Sequence, residues 1–111
     1  MHARARSADQ TQWRAILSRY DELPSSPVID LNRAIALAMV DGPAAGLAEL
    51  DRLAASGDLA GYHLLPAAQA DLSRRAGLTA AAAAYFRAAI LLAPTEPERR
   101  YLERRLTALE L

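Results

Sequence analysis

Apolar residues recur every three to four positions along most of the chain, which is the period of helices with one buried face. Trp13, Ile16, Leu17, Tyr20 and Leu23 form the first such stripe and predict a helix over about 8–22. Ser7-Ala8-Asp9-Gln10 reads as its capping box, leaving 1–6 as a flexible N-terminal segment and 7–111 as a single domain. Pro24-Ser25-Ser26-Pro27 ends this helix, and Ser26 caps a second one with Pro27 at its first position. That helix covers about 27–41, with Val28, Leu31, Ile35 and Ala38 inward. Asp41-Gly42-Pro43 is a stop followed by a start. The third helix, about 43–55, turns Leu47, Leu50 and Leu53 inward. After Ser56-Gly57-Asp58 and a loose turn at 59–63, a fourth helix spans about 64–76, with Pro66 tolerated near its start. Gly77 ends it. Thr79 is the expected cap of a fifth helix over about 80–93, which Pro94 terminates. Thr95-Glu96-Pro97-Glu98 is a second capping box and opens a sixth helix to about 110, striped by Leu102, Leu106 and Leu109 with Tyr101 beside them. No segment alternates with period two, so the expected fold is all-α: six helices in an antiparallel helix-turn-helix stack.

Composition agrees and narrows the function. Of 111 residues, 26 are Ala and 18 are Leu, a helix-forming bias with few β-branched residues. Thirteen arginines balance 13 acidic residues, with no lysine, which argues against a polyanion-binding surface. The absence of cysteine removes disulfides, thiol chemistry and cysteine-based zinc sites. No apolar run reaches the about 18–20 residues of a membrane span, and Met1-His2-Ala3-Arg4-Ala5-Arg6 lacks the apolar core of a signal peptide, so a cytoplasmic location is expected.

An internal repeat sharpens the architecture. Gly77, Ala82, Phe86, Ala89 and Pro94 fall at the offsets of a tetratricopeptide unit, in which small residues let two helices approach and an aromatic plugs the gap. Gly42, with Gly46 or Leu47, supplies a looser preceding unit, its turn glycine 35 residues before Gly77. The expectation is a right-handed tetratricopeptide-like solenoid, with the sixth helix as a solvating cap; the alternative is a plain helix bundle.

Little points to catalysis. His63 is the one internal histidine, and Asp58 and Asp71 near it have no accompanying nucleophile. A histidine entering a helix is ordinarily a structural hydrogen-bonder. No ligand spacing suggests a metal and no glycine-rich loop suggests a phosphate, so neither cofactor nor metal is expected. Arg74-Arg75, Arg99-Arg100 and Arg104-Arg105 suggest a basic stripe, but Glu96, Glu98 and Glu103 interleave with the last four arginines as helix ion pairs. Between Ala80 and Ala93 only Arg87 is charged, so the fifth helix is expected either to show bare alanine methyls outward or to meet a partner.

Four segments carry a family resemblance: SPVIDLNRAIA at 26–36, DGPAAGL at 41–47, GYHLLPAAQADL at 61–72 and ERRYLERRL at 98–106. Together they resemble the C-terminal tetratricopeptide-like extension of a class of extracytoplasmic-function RNA polymerase sigma factors, over about residues 7–110. The resemblance implies a non-enzymatic regulatory module that docks on sigma domains or RNA polymerase and leaves nucleic-acid contact to other domains. The candidate docking residues on the first helices of the repeats are Asn32, Arg33, Tyr62, His63, Gln69 and Arg74, with a purely local, helix-tying role as the alternative for Asn32 and Arg33. The competing function is a free-standing scaffold, a homodimer, or a small-ligand sensor using Tyr62 and His63. The chain departs from the family in Gln69, where Arg is usual, in Ser73 and Ala76, which replace leucines, in Leu78 and Ala81, which replace a polar pair, and in a shorter link from Tyr20 to Val28. Each missing leucine is expected to cost the fourth helix about 2 kcal/mol where its site is buried.

Overall fold

The computed structural model describes the backbone of residues 2–111 and the side chains of residues 9–111. Six helices follow one another: α1 (His2–Glu22), α2 (Pro27–Asp41), α3 (Pro43–Ser56), α4 (Leu64–Arg75), α5 (Thr79–Leu92) and α6 (Glu96–Glu110). Among the described residues there is no strand. Each helix packs mainly on its neighbours in sequence, and α2 also touches α4. The resulting slab measures 37 × 36 × 24 Å.

Local signals set most helix ends. Ser26 Oγ accepts the Ile29 amide at 3.2 Å, with Pro27 at the first helical position, and Thr95 Oγ1 accepts the Glu98 amide at 3.3 Å. Ser26→Ala is expected to lower stability by about 1 kcal/mol in a denaturant titration. Gly42 alone separates α2 from α3 with φ +99°, a backbone region that an L side chain rarely adopts.

Two expected caps are not used. α1 begins at His2, so its backbone runs through 2–6 and Ser7 lies inside the helix. Gln10, the other half of that expected capping box, instead donates from Nε2 to the Met39 carbonyl of α2 at 3.0 Å. Thr79 is the first residue of α5 rather than its cap: the Leu78 amide closes onto the Ser73 carbonyl at 2.8 Å, and Ala82 N–H bonds the Leu78 carbonyl. That tight turn places Leu78 at the boundary and displaces the hydroxyl from capping position.

The core divides into two clusters. Leu31, Ala34 and Ala38 of α2, Leu50 of α3, and Leu65 and Leu72 of α4 form the first, joined by Leu59 from the turn before α4. Ala70, Phe86, Ala89 and Leu102 form the second, between α4, α5 and α6. Gly46 sits where α3 crosses α2: an added Cβ would lie 2.6 Å from Ala38 Cβ, 2.8 Å from Leu72 Cδ1 and 2.9 Å from the Ala34 carbonyl oxygen. Only glycine permits this approach.

Some expected core residues face outward. Val28 is 45% exposed and Leu23 is also exposed, because both lie at helix edges where no neighbouring helix covers them. The two leucine replacements differ in consequence. Ser73 is 1% exposed and occupies a true core position, whereas Ala76 lies exposed past the end of α4, where a leucine would have had nothing to pack against. On α5, Ala82, Ala83, Phe86 and Ala89 are buried, while Ala80, Ala84, Arg87, Ala88 and Leu91 face out. The outer face is therefore mostly alanine methyls, with Leu91 87% exposed.

Candidate functional site

The first turns of α4 and α6 stand side by side and leave an open groove of about 390 Å³. Leu64, Ala67, Pro97, Tyr101 and Leu102 supply apolar walls, and His63 and Glu98 supply the polar end. The volume lies within the range of about 300–1,000 Å³ typical of ligand pockets. His63 Nε2 is 2.6 Å from Glu98 Oε2, an oxygen that is buried and has no aligned hydrogen-bond donor. A second hollow of about 360 Å³ shares Leu64, Ala67, Tyr101 and Leu102 with the first and extends it to Asp71, Arg74, Arg75 and Arg105. The two make one furrow along α4 and α6. Tyr101, 50% exposed, lies on its rim.

The far end is an ionic knot. Asp71 Oδ1 accepts from Arg74 Nη2 at 2.9 Å and from Arg105 Nη2 at 2.9 Å, while Oδ2 is 3.1 Å from Arg75 Nε. Arg105 also donates to the Tyr101 hydroxyl at 2.7 Å, and its guanidinium carbon lies 5.7 Å from both the Phe86 and the Tyr101 ring centroids. Three guanidiniums around one carboxylate leave two uncompensated positive charges. Partial burial alone would raise the Asp71 pKa. The hydrogen bonds from Arg74 and Arg105 and the field of Arg75 outweigh it and hold the carboxyl below its usual value.

This has a pH signature. A carboxylate with a lowered native pKa stabilises the fold at pH above its unfolded value, and that contribution is lost as pH falls from about 4 through the native value. Asp71→Asn is expected to be about 1 kcal/mol less stable than the wild type at pH 7. The two proteins should converge below that range. Urea titrations of both at pH 7 and in acid check it; a constant difference across pH would contradict the assignment.

The structure separates the six residues proposed from sequence. His63 lines the groove and Arg74 lines its basic end. Tyr62 packs on the first core cluster, with its ring edge-on to His63 at 5.8 Å between centroids. Arg33 Nε pairs with Asp21 at 2.5 Å and ties α2 to α1, and Asn32 Nδ2 bonds the Val28 carbonyl one turn back; these are the local roles weighed as the alternative. Gln69 is no surface residue: it is 6% exposed and donates to Asp51 Oδ1 of α3 at 3.2 Å. It lies on the α4 face turned toward α3.

Glu98, Tyr101, Asp71 and Arg105 belong to the furrow but were not among those six. The pairs of Asp71 with Arg74 and Arg75 have helix spacing and are visible in sequence, whereas the bond to Arg105 spans 34 residues and is visible only in three dimensions. On the outer side of α6, Arg99 pairs with Glu96 and Glu103, and Arg100 pairs with Glu96. These pairs compensate much of the expected basic stripe. Among the described residues no group of three or more histidines and carboxylates is placed to hold a metal ion, and no helix is long and apolar enough to cross a membrane.

No family model matches the chain, and no solved structure matches it. A similar curated protein is an uncharacterized protein of Rhizobium meliloti (strain 1021), 35% identical over 109 residues. The match covers 96% of this chain and 25% of the relative, so the chain spans about a quarter of the length of the curated relative it matches.

Proposed function

We propose that this chain is a non-catalytic protein-docking module of an extracytoplasmic-function sigma factor, acting in the cytoplasm. It modulates transcription initiation by binding sigma domains or RNA polymerase. In this reading α2–α3 and α4–α5 are two tetratricopeptide-like units of a right-handed stack and α6 is the cap. The burial of Ala82, Phe86 and Ala89, the close approach at Gly46 and the division of the core into two clusters support that arrangement. The observation that carries the docking role is the furrow between α4 and α6: apolar walls, an exposed tyrosine and a charged group at each end. The occurrence of a similar segment as a quarter of a longer protein agrees with a module.

Purified RNA polymerase core and purified sigma regions from the same source are to be passed over the immobilised chain. Retention of either at micromolar concentration is the expected result, and retention of neither refutes the proposal. A second reading, a homodimeric scaffold, draws on the exposed Leu78 and Leu91 beside the alanine face of α5. Light scattering coupled to size exclusion distinguishes them: a monomer at high concentration removes the dimer.

A further inference from the structure

We infer that the furrow receives an amphipathic helix of the partner with a basic residue at one end, apolar residues in the middle and an acidic residue at the other. This rests on the docking role proposed above and names the chemistry of the occupant. One end holds Glu98, whose Oε2 is buried against His63 and lacks an aligned donor. The Glu98 side chain is otherwise 44% exposed, and a partner ammonium or guanidinium pairs with the carboxylate from that open side. The middle is apolar, with Leu64 and Tyr101 exposed above Ala67 and Leu102. The other end carries the two uncompensated positive charges of the Asp71, Arg74, Arg75 and Arg105 knot, which suit a partner carboxylate.

Spacing sets the length. From His63 to Asp71 and Arg75 the chain advances eight to twelve residues along the α4 axis. At about 1.5 Å per residue this is about 12–18 Å, or two to three turns of a helix lying alongside. The hollow at the apolar end has room for a few side chains, so one face of the helix enters and the rest stays in water. The opposite charges at the two ends also dictate direction, since a reversed helix would bring like charges together at both.

The test uses the whole chain and a synthetic helical peptide about three turns long, with Arg near its N-terminus, Leu at the central contact positions and Glu near its C-terminus. Two control peptides carry Arg at both ends or Glu at both ends, so each mismatches one end of the furrow in either direction of docking. NMR titration is expected to move the signals of His63, Leu64 and Tyr101. The mixed peptide should bind about fivefold tighter than either control, which loses one charge pair. A Glu98→Lys variant, checked for helicity by circular dichroism, is expected to shift the preference to the peptide with Glu at both ends. Equal affinities for the three peptides overturn the inference. So do shifts confined to the outer face of α5, which indicate a second copy as the occupant, or an equal response to butylamine alone, which indicates a small-ligand pocket. Capture of polymerase or sigma regions is measured on the same Glu98→Lys variant. Undiminished capture overturns the furrow assignment while leaving the docking role standing.

Discussion

Gly46→Ala is expected to destabilise the protein by about 2 kcal/mol or more, although a glycine-to-alanine exchange inside a helix ordinarily stabilises by about 1 kcal/mol. The sign reverses because of what surrounds the position. A methyl group there would stand 2.6 Å from Ala38 Cβ, 2.8 Å from Leu72 Cδ1 and 2.9 Å from the Ala34 carbonyl oxygen. Leucine can rotate away, but the alanine Cβ and the carbonyl are fixed to the α2 backbone, so α3 must move off α2. Overpacking of this kind costs about 1–3 kcal/mol and sometimes more. For a domain of this size the melting temperature should fall by about 10 °C. Ala48, exposed on the same helix, is the control: Ala48→Gly should cost about 1 kcal/mol through propensity alone. Leu72 belongs to α4, so the displacement also reaches the helix that lines the furrow, and the docking proposed above should weaken. A Gly46→Ala protein as stable as the wild type would show that α2 and α3 are not held at this distance.

Phe86→Ala is expected to be the most damaging single truncation, at about 3–5 kcal/mol. That is a large share of the about 5–15 kcal/mol that holds an ordinary domain together. Phe86 is buried at the centre of the second cluster, between Ala70, Ala89 and Leu102, and its ring also lies beneath the Arg105 guanidinium. Removing it leaves a cavity between α4, α5 and α6 and releases one of the two aromatic contacts that hold Arg105 over the ionic knot. Because the first cluster contains no residue of α5 or α6, the damage should be local. Amide exchange in α6 should quicken far more than in α2 and α3. A stability loss under about 1 kcal/mol, or uniform quickening along the chain, would contradict the division of the core.

How far these features could be read in advance depends on the distance over which their causes act. The small–aromatic–small spacing of Ala82, Phe86 and Ala89 marked a buried helix face, and all three residues are buried. The close approach at Gly46 was visible only as a small residue at a plausible offset; the two helices that surround it had to be brought together to show its severity. Leu59 lies in a turn, where no period reveals which way a side chain points, yet it joins the core. Gln69 occupies a polar position that reads as surface until α3 brings Asp51 to it. His63 was recognisable as unusual, but its partner Glu98 lies on another helix and looked like part of a capping box.

The number of helices, most of their ends and the absence of strands among the described residues were therefore determined by sequence alone. Ser26, Gly42 and Thr95 act on amides and carbonyls within a few residues of themselves, so their effect is complete before any helix meets another. Ser7 and Thr79 show the limit of such signals: a hydroxyl caps only where the backbone stops being helical, and the backbone stopped elsewhere. The furrow, its charged ends and the fate of each proposed contact residue belonged to the tertiary structure. They arise from the distances between α4 and its neighbours, which side-chain volumes set through packing between residues far apart in the chain: Leu50, Leu65 and Leu72 toward α3, and Ala70, Phe86, Ala89 and Leu102 toward α5 and α6.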